Sequence, residues 1–217
     1  MSMNATAGLR EWTAILNGAI AEIRAGQARL SQLDSVCGDG DHGTTMLRAA
    51  NLLEKCIERS SGKTLQAFLN DVAWTLMGLD GGATGPLLGS FFLGIADKVG
   101  SSNELDTHSL AETFEAGLAA LSRQSRAKVG DKSMLDALVP AVSAMRRAAE
   151  EGRSIQEALQ ASAAAAEEGS ASTQNLVAKV GRAKYLGKKT LGTQDPGAAS
   201  VSLLFRGFDE GIRNLEP

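Results

Sequence analysis

Apolar residues in this chain recur at steps of three and four, segment after segment, and that spacing confines it to packed helices. Leu9, Trp12, Ile15, Leu16, Ala19, Ile20 and Ile23 mark the first. A second, over 43–59, carries Met46, Ala50, Leu53 and Ile57 on one face. Thr64 is placed to cap a third, which presents Leu65, Phe68, Leu69, Val72 and Leu76. Pro86 suits the first turn of a fourth that runs to Val99. The fifth is expected over 109–123 and the sixth over 133–151, where Pro140 implies a kink or a missing bond. The seventh starts at Ser154 and can run on to Val180, and the eighth spans about 197–213. Strand-like alternation is nowhere sustained. With 4% aromatic residues and 4 prolines, the composition agrees. The expected fold is all-α, an eight-helix antiparallel up-and-down arrangement forming one domain over 1–217.

That topology sorts the connections by end. The first, third, fifth and seventh share one end: 34–42, 77–85, 125–133 and 181–196. These carry the glycines, aspartates and basic residues. The other end holds Arg59-Ser60-Ser61-Gly62-Lys63, the stretch 100–108 and Glu151-Gly152-Arg153, which read as ordinary polar turns. Chemistry gathered at one end is what a binding site requires.

The densest of these stretches is Asp34-Ser35-Val36-Cys37-Gly38-Asp39-Gly40-Asp41-His42-Gly43-Thr44-Thr45-Met46. Asp34, Asp39 and Asp41 crowd together, and a hard divalent cation relieves their repulsion. The glycines allow left-handed backbone and close approach. The helix that follows offers free N–H groups to an anion. Together they point to Mg²⁺ held between aspartates and phosphates. A plain Asp-Gly-Asp turn capping a helix would explain the same letters more modestly. Although 38–43 spells G-x-G-x-x-G, a helix precedes it where the dinucleotide fingerprint needs a strand. A calcium loop counted from Asp39 would put Thr44 where it needs glycine. His42, among aspartates, is expected to favour its charged form.

Gly81-Gly82-Ala83-Thr84-Gly85-Pro86 would make a cradle for an anion or ribose, or only a flexible turn. In Gly130-Asp131-Lys132-Ser133-Met134, Asp131 is a candidate cap for the sixth helix. Met134 could cover a base with soft apolar surface. Lys132 could reach a phosphate, although a lysine at a helix start is more often solvated. Arg182, in the glycine-punctuated basic run 181–192, is a candidate phosphate clamp. Lys188 and Lys189 read as solvated, and His108 as a turn residue. No Ser-His-Asp or Cys-His order and no P-loop spacing is visible.

A net charge of −3 with mixed signs gives no footprint for nucleic acid or a membrane surface. No apolar run suits a bilayer span, and the start lacks the pattern of a secretory signal. Cys37 and Cys56 form no CxxC pair. A reduced, cytoplasmic setting is expected.

Taken in order, Gly38-Asp39-Gly40-Asp41-His42-Gly43, Gly81 to Pro86, Gly130 to Met134, Gly181-Arg182-Ala183-Lys184-Tyr185-Leu186-Gly187 and Gln194-Asp195-Pro196-Gly197 resemble the nucleotide-binding L subunit, or L domain, of dihydroxyacetone kinases. The similarity spans nearly the whole chain. It implies an eight-helix antiparallel barrel with ADP or ATP bound at one rim. It implies that Asp34, Asp39 and Asp41 ligate Mg²⁺ ions, two of them, on the diphosphate. Positions His42, Gly43, Thr44, Thr45, Ala83, Thr84, Ser125, Met134, Arg182, Asp195, Pro196 and Gly197 match the family's nucleotide contacts. It also implies a separate K-type subunit that holds the ketose. The phosphoryl donor is either free ATP or a phosphoprotein of the phosphoenolpyruvate-dependent phosphotransferase system that recharges bound ADP. A homodimer stays open. So does a role from another class, an ADP-binding module that regulates a transcription factor. Lys184, Thr193, Lys188 and Lys189 depart from the commonest pattern, on the rim a partner would face.

Overall fold

The computed structural model describes residues 6–80 and 82–215, so Gly81 of the second glycine motif lies outside the described residues. Among the described residues are eight α-helices: α1 (Leu9–Cys37), α2 (His42–Glu58), α3 (Leu65–Met77), α4 (Thr84–Val99), α5 (Thr107–Gln124), α6 (Leu135–Glu150), α7 (Ile155–Ser172) and α8 (Pro196–Arg213). Short 3-10 segments cover Thr173–Asn175 and Arg182–Thr190 between α7 and α8. Each helix packs on its successor, and α8 packs along α1, which closes the ring into an antiparallel barrel.

The apolar faces read from the sequence point inward. Trp12 stacks on Phe114 with ring centroids 5.8 Å apart, and Phe114 also meets Phe91, Phe205 and Phe208. This knot joins α1, α4, α5 and α8, and burying each phenylalanine is worth roughly 1.5–3 kcal/mol. Between α1, α2, α3, α4 and α8 only about 10 Å³ is left open, room for one water at most. The barrel's interior is therefore core, and ligand chemistry must sit at an end.

The helix starts distinguish the two ends. At the plain end, Thr64, Asp106 and Ser154 cap α3, α5 and α7, accepting from the amides of Ala67, Ser109 and Glu157. At the other end, α2, α4 and α6 begin at Asp41, Ala83 and Met134 with no side-chain cap. Acceptors from elsewhere take some of the opening amides there: Asp34 takes that of His42, and the Ser133 hydroxyl that of Leu135. Only α8 at that end is capped, by Asp195 on the Ala198 amide at 2.7 Å, with Pro196 at its first position.

Two expectations are corrected. Helix α7 stops at Ser172, short of Val180, because the chain turns on Thr173. The Thr173 hydroxyl donates to the Ser170 carbonyl at 2.6 Å and accepts the Asp195 amide at 2.9 Å. Asp131 does not cap α6, since it accepts from the Lys128 amide and pairs with Lys179. Asp136, one residue inside α6, instead accepts from the amides of Gly130 and Ser133. Pro140 lies within α6, which stays continuous from Leu135 to Glu150, and without an N–H it leaves the helical bond to the Asp136 carbonyl unmade, as expected. No helix among the described residues is long and apolar enough to cross a membrane.

Candidate functional site

The four connections at the uncapped end converge on one cleft of about 420 Å³. Its walls include Asp34, Asp39, Asp41 and His42 from the α1–α2 turn, and Gly82, Ala83 and Thr84 from the α3–α4 turn. Ser125, Lys132 and Met134 come from the α5–α6 link, and Arg182, Asp195, Pro196 and Gly197 from the α7–α8 link. The segregation read from topology is thus a real convergence in space.

Asp34, Asp39 and Asp41 each offer a carboxylate oxygen, and these oxygens all lie within 4.8 Å of one another. Two oxygens on opposite sides of Mg²⁺, each about 2.1 Å away, stand about 4.2 Å apart. Adjacent ligands of such an ion stand closer, about 3 Å apart, so the side chains must draw together to share one ion, and an all-oxygen donor set suits a hard cation. Asp34 is the fixed member: it is 9% exposed and accepts the His42 amide at 3.2 Å. Asp39 and Asp41 are exposed at the mouth.

Glycines hold this turn in shape for different reasons. Gly40 takes the left-handed conformation, with φ +78°. Gly38 and Gly43 serve close approach instead. A Cβ at Gly38 would come within 2.2 Å of Asp34 Oδ1, and one at Gly43 within 2.2 Å of the Gln27 carbonyl on α1.

The structure places the predicted contacts unequally. His42 is buried, with Nε2 2.5 Å from Ser200 Oγ on α8. Burial pushes its pKa down, outweighing the opposite pull of Asp34, so the expectation of a charged imidazole is corrected. Ala83, Thr84, Ser125, Met134, Arg182, Asp195, Pro196 and Gly197 line the cleft. Gly43, Thr44 and Thr45 do not. Gly43 is wedged on α1, Thr44 faces solvent, and the buried Thr45 hydroxyl accepts from Arg48. Any contribution from Gly43 and Thr44 would come through first-turn amides.

Two charged residues are engaged differently from expectation. The Arg182 guanidinium is ion-paired with Asp39 across the mouth. Lys132 is neither solvated nor free to reach outward: it is 2% exposed, and Nζ donates to the carbonyls of Thr173 and Thr193. Asp195 has its pKa pushed up to about 6 by burial, against the pull of the Ala198 amide and of Lys132. Cys37, Leu87, Gln124 and Arg126 also line the cleft and were not singled out from sequence. Cys37 and Arg126 neighbour motifs that were, and Leu87 and Gln124 carry no polar signal beyond ending or opening a helix.

The rim has its own character. Arg182, Lys184, Lys188 and Lys189 are exposed, and Lys184 Nζ lies 4.8 Å from the Tyr185 ring centre. The exposed large apolar side chains are Val36, Trp74, Val129, Tyr185, Leu186 and Leu191. All but Trp74 lie in or beside the connections at this end of the barrel.

An all-α barrel with a carboxylate cluster and helix starts without side-chain caps at one rim offers oxygen donors to a hard cation and helix N-termini to an anion. Residues 36–210 match the DAK2 domain model, and the chain belongs to that family, the L-type subunits and domains of dihydroxyacetone kinases. It is 35% identical over 177 residues to "PEP-dependent dihydroxyacetone kinase, ADP-binding subunit DhaL" of Escherichia coli (strain K12), covering 82% of this chain and 84% of the relative. It is 34% identical over 195 residues to "PTS-dependent dihydroxyacetone kinase, ADP-binding subunit DhaL" of Lactococcus lactis, covering 90% and 92%. To "L-erythrulose kinase" of Pectobacterium atrosepticum it is 33% identical, covering 88% of this chain but 33% of that one. The crystal structure of the dihydroxyacetone kinase of C. freundii in complex with AMP-PNP and Mg²⁺ superposes with a TM-score of 0.71 at 26% identity. That match covers 91% of this chain and about a third, 33%, of the crystallised one.

Proposed function

We propose that this chain is the nucleotide-carrying subunit of a two-component ketose kinase, acting as one L-type domain in the cytoplasm. Asp34, Asp39 and Asp41 hold Mg²⁺ on the phosphates of ADP or ATP. His42, Ala83, Thr84, Ser125, Met134, Arg182, Asp195, Pro196 and Gly197 surround the nucleotide, with Gly43 and Thr44 contributing through their first-turn amides. The observation that carries this reading is the three-carboxylate cluster in a cleft of about 420 Å³, a volume in the range of small-molecule sites.

When bound, the metal–nucleotide supplies the phosphoryl group. The chain's residues supply charge and alignment. Asp34 is held by the His42 amide, so one ligand is preset while Asp39 and Asp41 adjust. The starts of α2 and α4, at His42 and Thr84, border the cleft, and the positive ends of these helices favour negative charge there. Arg182 stands at the mouth, within reach of a phosphate oxygen once it leaves Asp39.

The acceptor, dihydroxyacetone or a related ketose, is presented by a K-type partner subunit. Exposed Tyr185, Leu186, Leu191 and Val129, interleaved with Lys184, Lys188 and Lys189, support docking at the rim. Names carried by the Escherichia coli and Lactococcus lactis relatives support phosphoenolpyruvate as ultimate donor, with ADP retained and recharged by a phosphotransferase-system protein. They are names of kinase components, which favours this reading over a transcription-regulating module.

The test is reconstitution. The purified chain with Mg·ATP and dihydroxyacetone should form no sugar phosphate until a K-type subunit is added. If ATP fails with the partner present, addition of the phosphotransferase proteins and phosphoenolpyruvate should restore turnover. Turnover by the chain alone would refute the two-component reading.

A further inference from the structure

Lys132 is the one non-glycine residue among those described with a positive φ, +62°, a conformation that disfavours any side chain bearing a Cβ. What holds it there is its ammonium group. Nζ donates to the Thr173 carbonyl at 2.6 Å and to the Thr193 carbonyl at 2.5 Å. Those carbonyls belong to the turn ending α7 and to the link that enters α8. The side chain is 2% exposed yet forms part of the cleft wall. A buried ammonium is costly unless its donors are satisfied and a counter-charge is near. Asp195, the cap of α8, interacts with it electrostatically.

We infer that Lys132 is a positioning residue for the nucleotide site: its ammonium ties the α5–α6 link to both ends of the α7–α8 link and, through the Thr173 and Thr193 carbonyls, sets the start of α8 that carries Asp195, Pro196 and Gly197 into the cleft wall. The inference rests on the reading of this cleft as a nucleotide site. Four other hydrogen bonds make the arrangement a unit. The Thr173 hydroxyl accepts the Asp195 amide at 2.9 Å, so the residue whose carbonyl meets Lys132 also fixes the start of α8. Gln194, next to Asp195, accepts from Arg29 on α1. On the other side, Asp136 takes the amides of Gly130 and Ser133, which shapes the turn carrying Lys132. The ionisable groups around Asp195 are Lys132 ahead of α6, Asp136 on α6 and Cys37 at the end of α1. Of these, Lys132 is the cation, and it favours the ionised carboxylate while burial and Asp136 oppose it.

The experiment compares Lys132→Met, Asp195→Asn and the double variant with the wild type. Mg·ADP affinity is read by calorimetry, and the Asp195 titration by carboxyl-carbon NMR, its resonance assigned by its loss in Asp195→Asn. Lys132→Met should weaken Mg·ADP binding by about tenfold or more, the scale of one or two lost charged hydrogen bonds. It should also move the Asp195 midpoint upward from about 6. In the Asp195→Asn background the same substitution should cost clearly less affinity, because the two act as one unit. Unchanged affinity in Lys132→Met would overturn the inference. So would weakened binding with an unmoved Asp195 midpoint, the mark of a packing role alone. If Lys132→Met does not fold, Lys132→Gln, whose amide can still donate to one of the two carbonyls, is read in the same way, and unchanged Mg·ADP affinity with an unmoved Asp195 midpoint would overturn the inference. A wild type that does not bind Mg·ADP would refute the nucleotide-site reading instead, while the Asp195 midpoint would still report on Lys132.

Discussion

Arg182 is ion-paired with Asp39, so the segment over α7–α8 is joined to the aspartate turn at the mouth of the cleft. Both side chains are largely exposed, which makes the pair weak and easily exchanged. The segment's ends are held more firmly: the buried Thr190 hydroxyl accepts the Ala178 amide at 3.0 Å, and the Gly192 amide donates to the Gln174 carbonyl at 2.8 Å. Gly181, Gly187 and Gly192 all have positive φ and bracket it. The segment should therefore move as a hinged lid, with Arg182 passing from Asp39 to phosphate. Arg182→Ala should cost on the order of 1.5–3 kcal/mol in Mg·ADP binding. Amide exchange over 182–190 should slow on adding Mg·ADP to the wild type. Equal exchange with and without ligand, and normal affinity in the variant, would make the segment a passive connection.

Gly43→Ala tests the geometry beneath the turn. The added methyl would lie 2.2 Å from the Gln27 carbonyl and 2.7 Å from the Ser31 amide, both backbone of α1. Helix α2 would have to shift, breaking the registry that lets Asp34 accept the His42 amide. Thermal unfolding should show a loss of about 1–3 kcal/mol, the usual cost of overpacking. An unchanged melting temperature would mean that α1 and α2 are less closely fixed than described.

Asp195 gives a pH prediction. Its pKa is raised from 3.8 in the unfolded chain to about 6. A carboxylate raised in this way stabilises the fold as the neutral acid. That contribution is fully present below 3.8 and is lost as pH rises through about 6. Asparagine can keep the helix cap without titrating. The melting temperature of the wild type, relative to Asp195→Asn, should therefore fall between about pH 4 and pH 7. A difference constant across that range would show that Asp195 titrates as in the unfolded chain.

The helices and their facing were legible because periodic burial is a local pattern. Leu9 to Ile23, and Leu65 to Leu76, announce their inner faces without reference to anything distant. The cleft was legible for a different reason: connection parity in an up-and-down fold is a topological rule, and it brought Asp34, Thr84, Ser125 and Arg182 to one end. Lys132 was not legible. A lysine ahead of a helix looks solvated, and its partners, the carbonyls of Thr173 and Thr193, stand 41 and 61 residues away with no side-chain signature. His42 was misread because the aspartates beside it are visible in sequence while the packing of α8 against its ring is not. Gly43, part of an anion-binding motif by its letters, is also where α1 and α2 touch, and only the packed pair reveals that.

Lys188 and Lys189 should act on assembly and leave nucleotide affinity alone. Both are exposed on the rim beside Tyr185 and Leu186, and the cleft wall does not include them. Lys188→Ala with Lys189→Ala should slow association with a K-type partner, with the difference shrinking as salt rises. Surface plasmon resonance at two ionic strengths reads this. A salt-independent effect, or weakened ADP binding, would relocate these lysines into the site.

The central claim is that three carboxylates bind metal for a nucleotide, and isothermal calorimetry of ADP tests it most directly. The wild type should bind ADP with Mg²⁺ present and lose it in chelator. Asp39→Asn and Asp41→Asn should each weaken Mg·ADP binding by roughly 10–100-fold or more while circular dichroism stays helical. Metal-free Asp41→Asn should melt no lower than the wild type, since it removes charge repulsion from the cluster. ADP binding that is equally tight in chelator, or unchanged in both variants, would contradict the account.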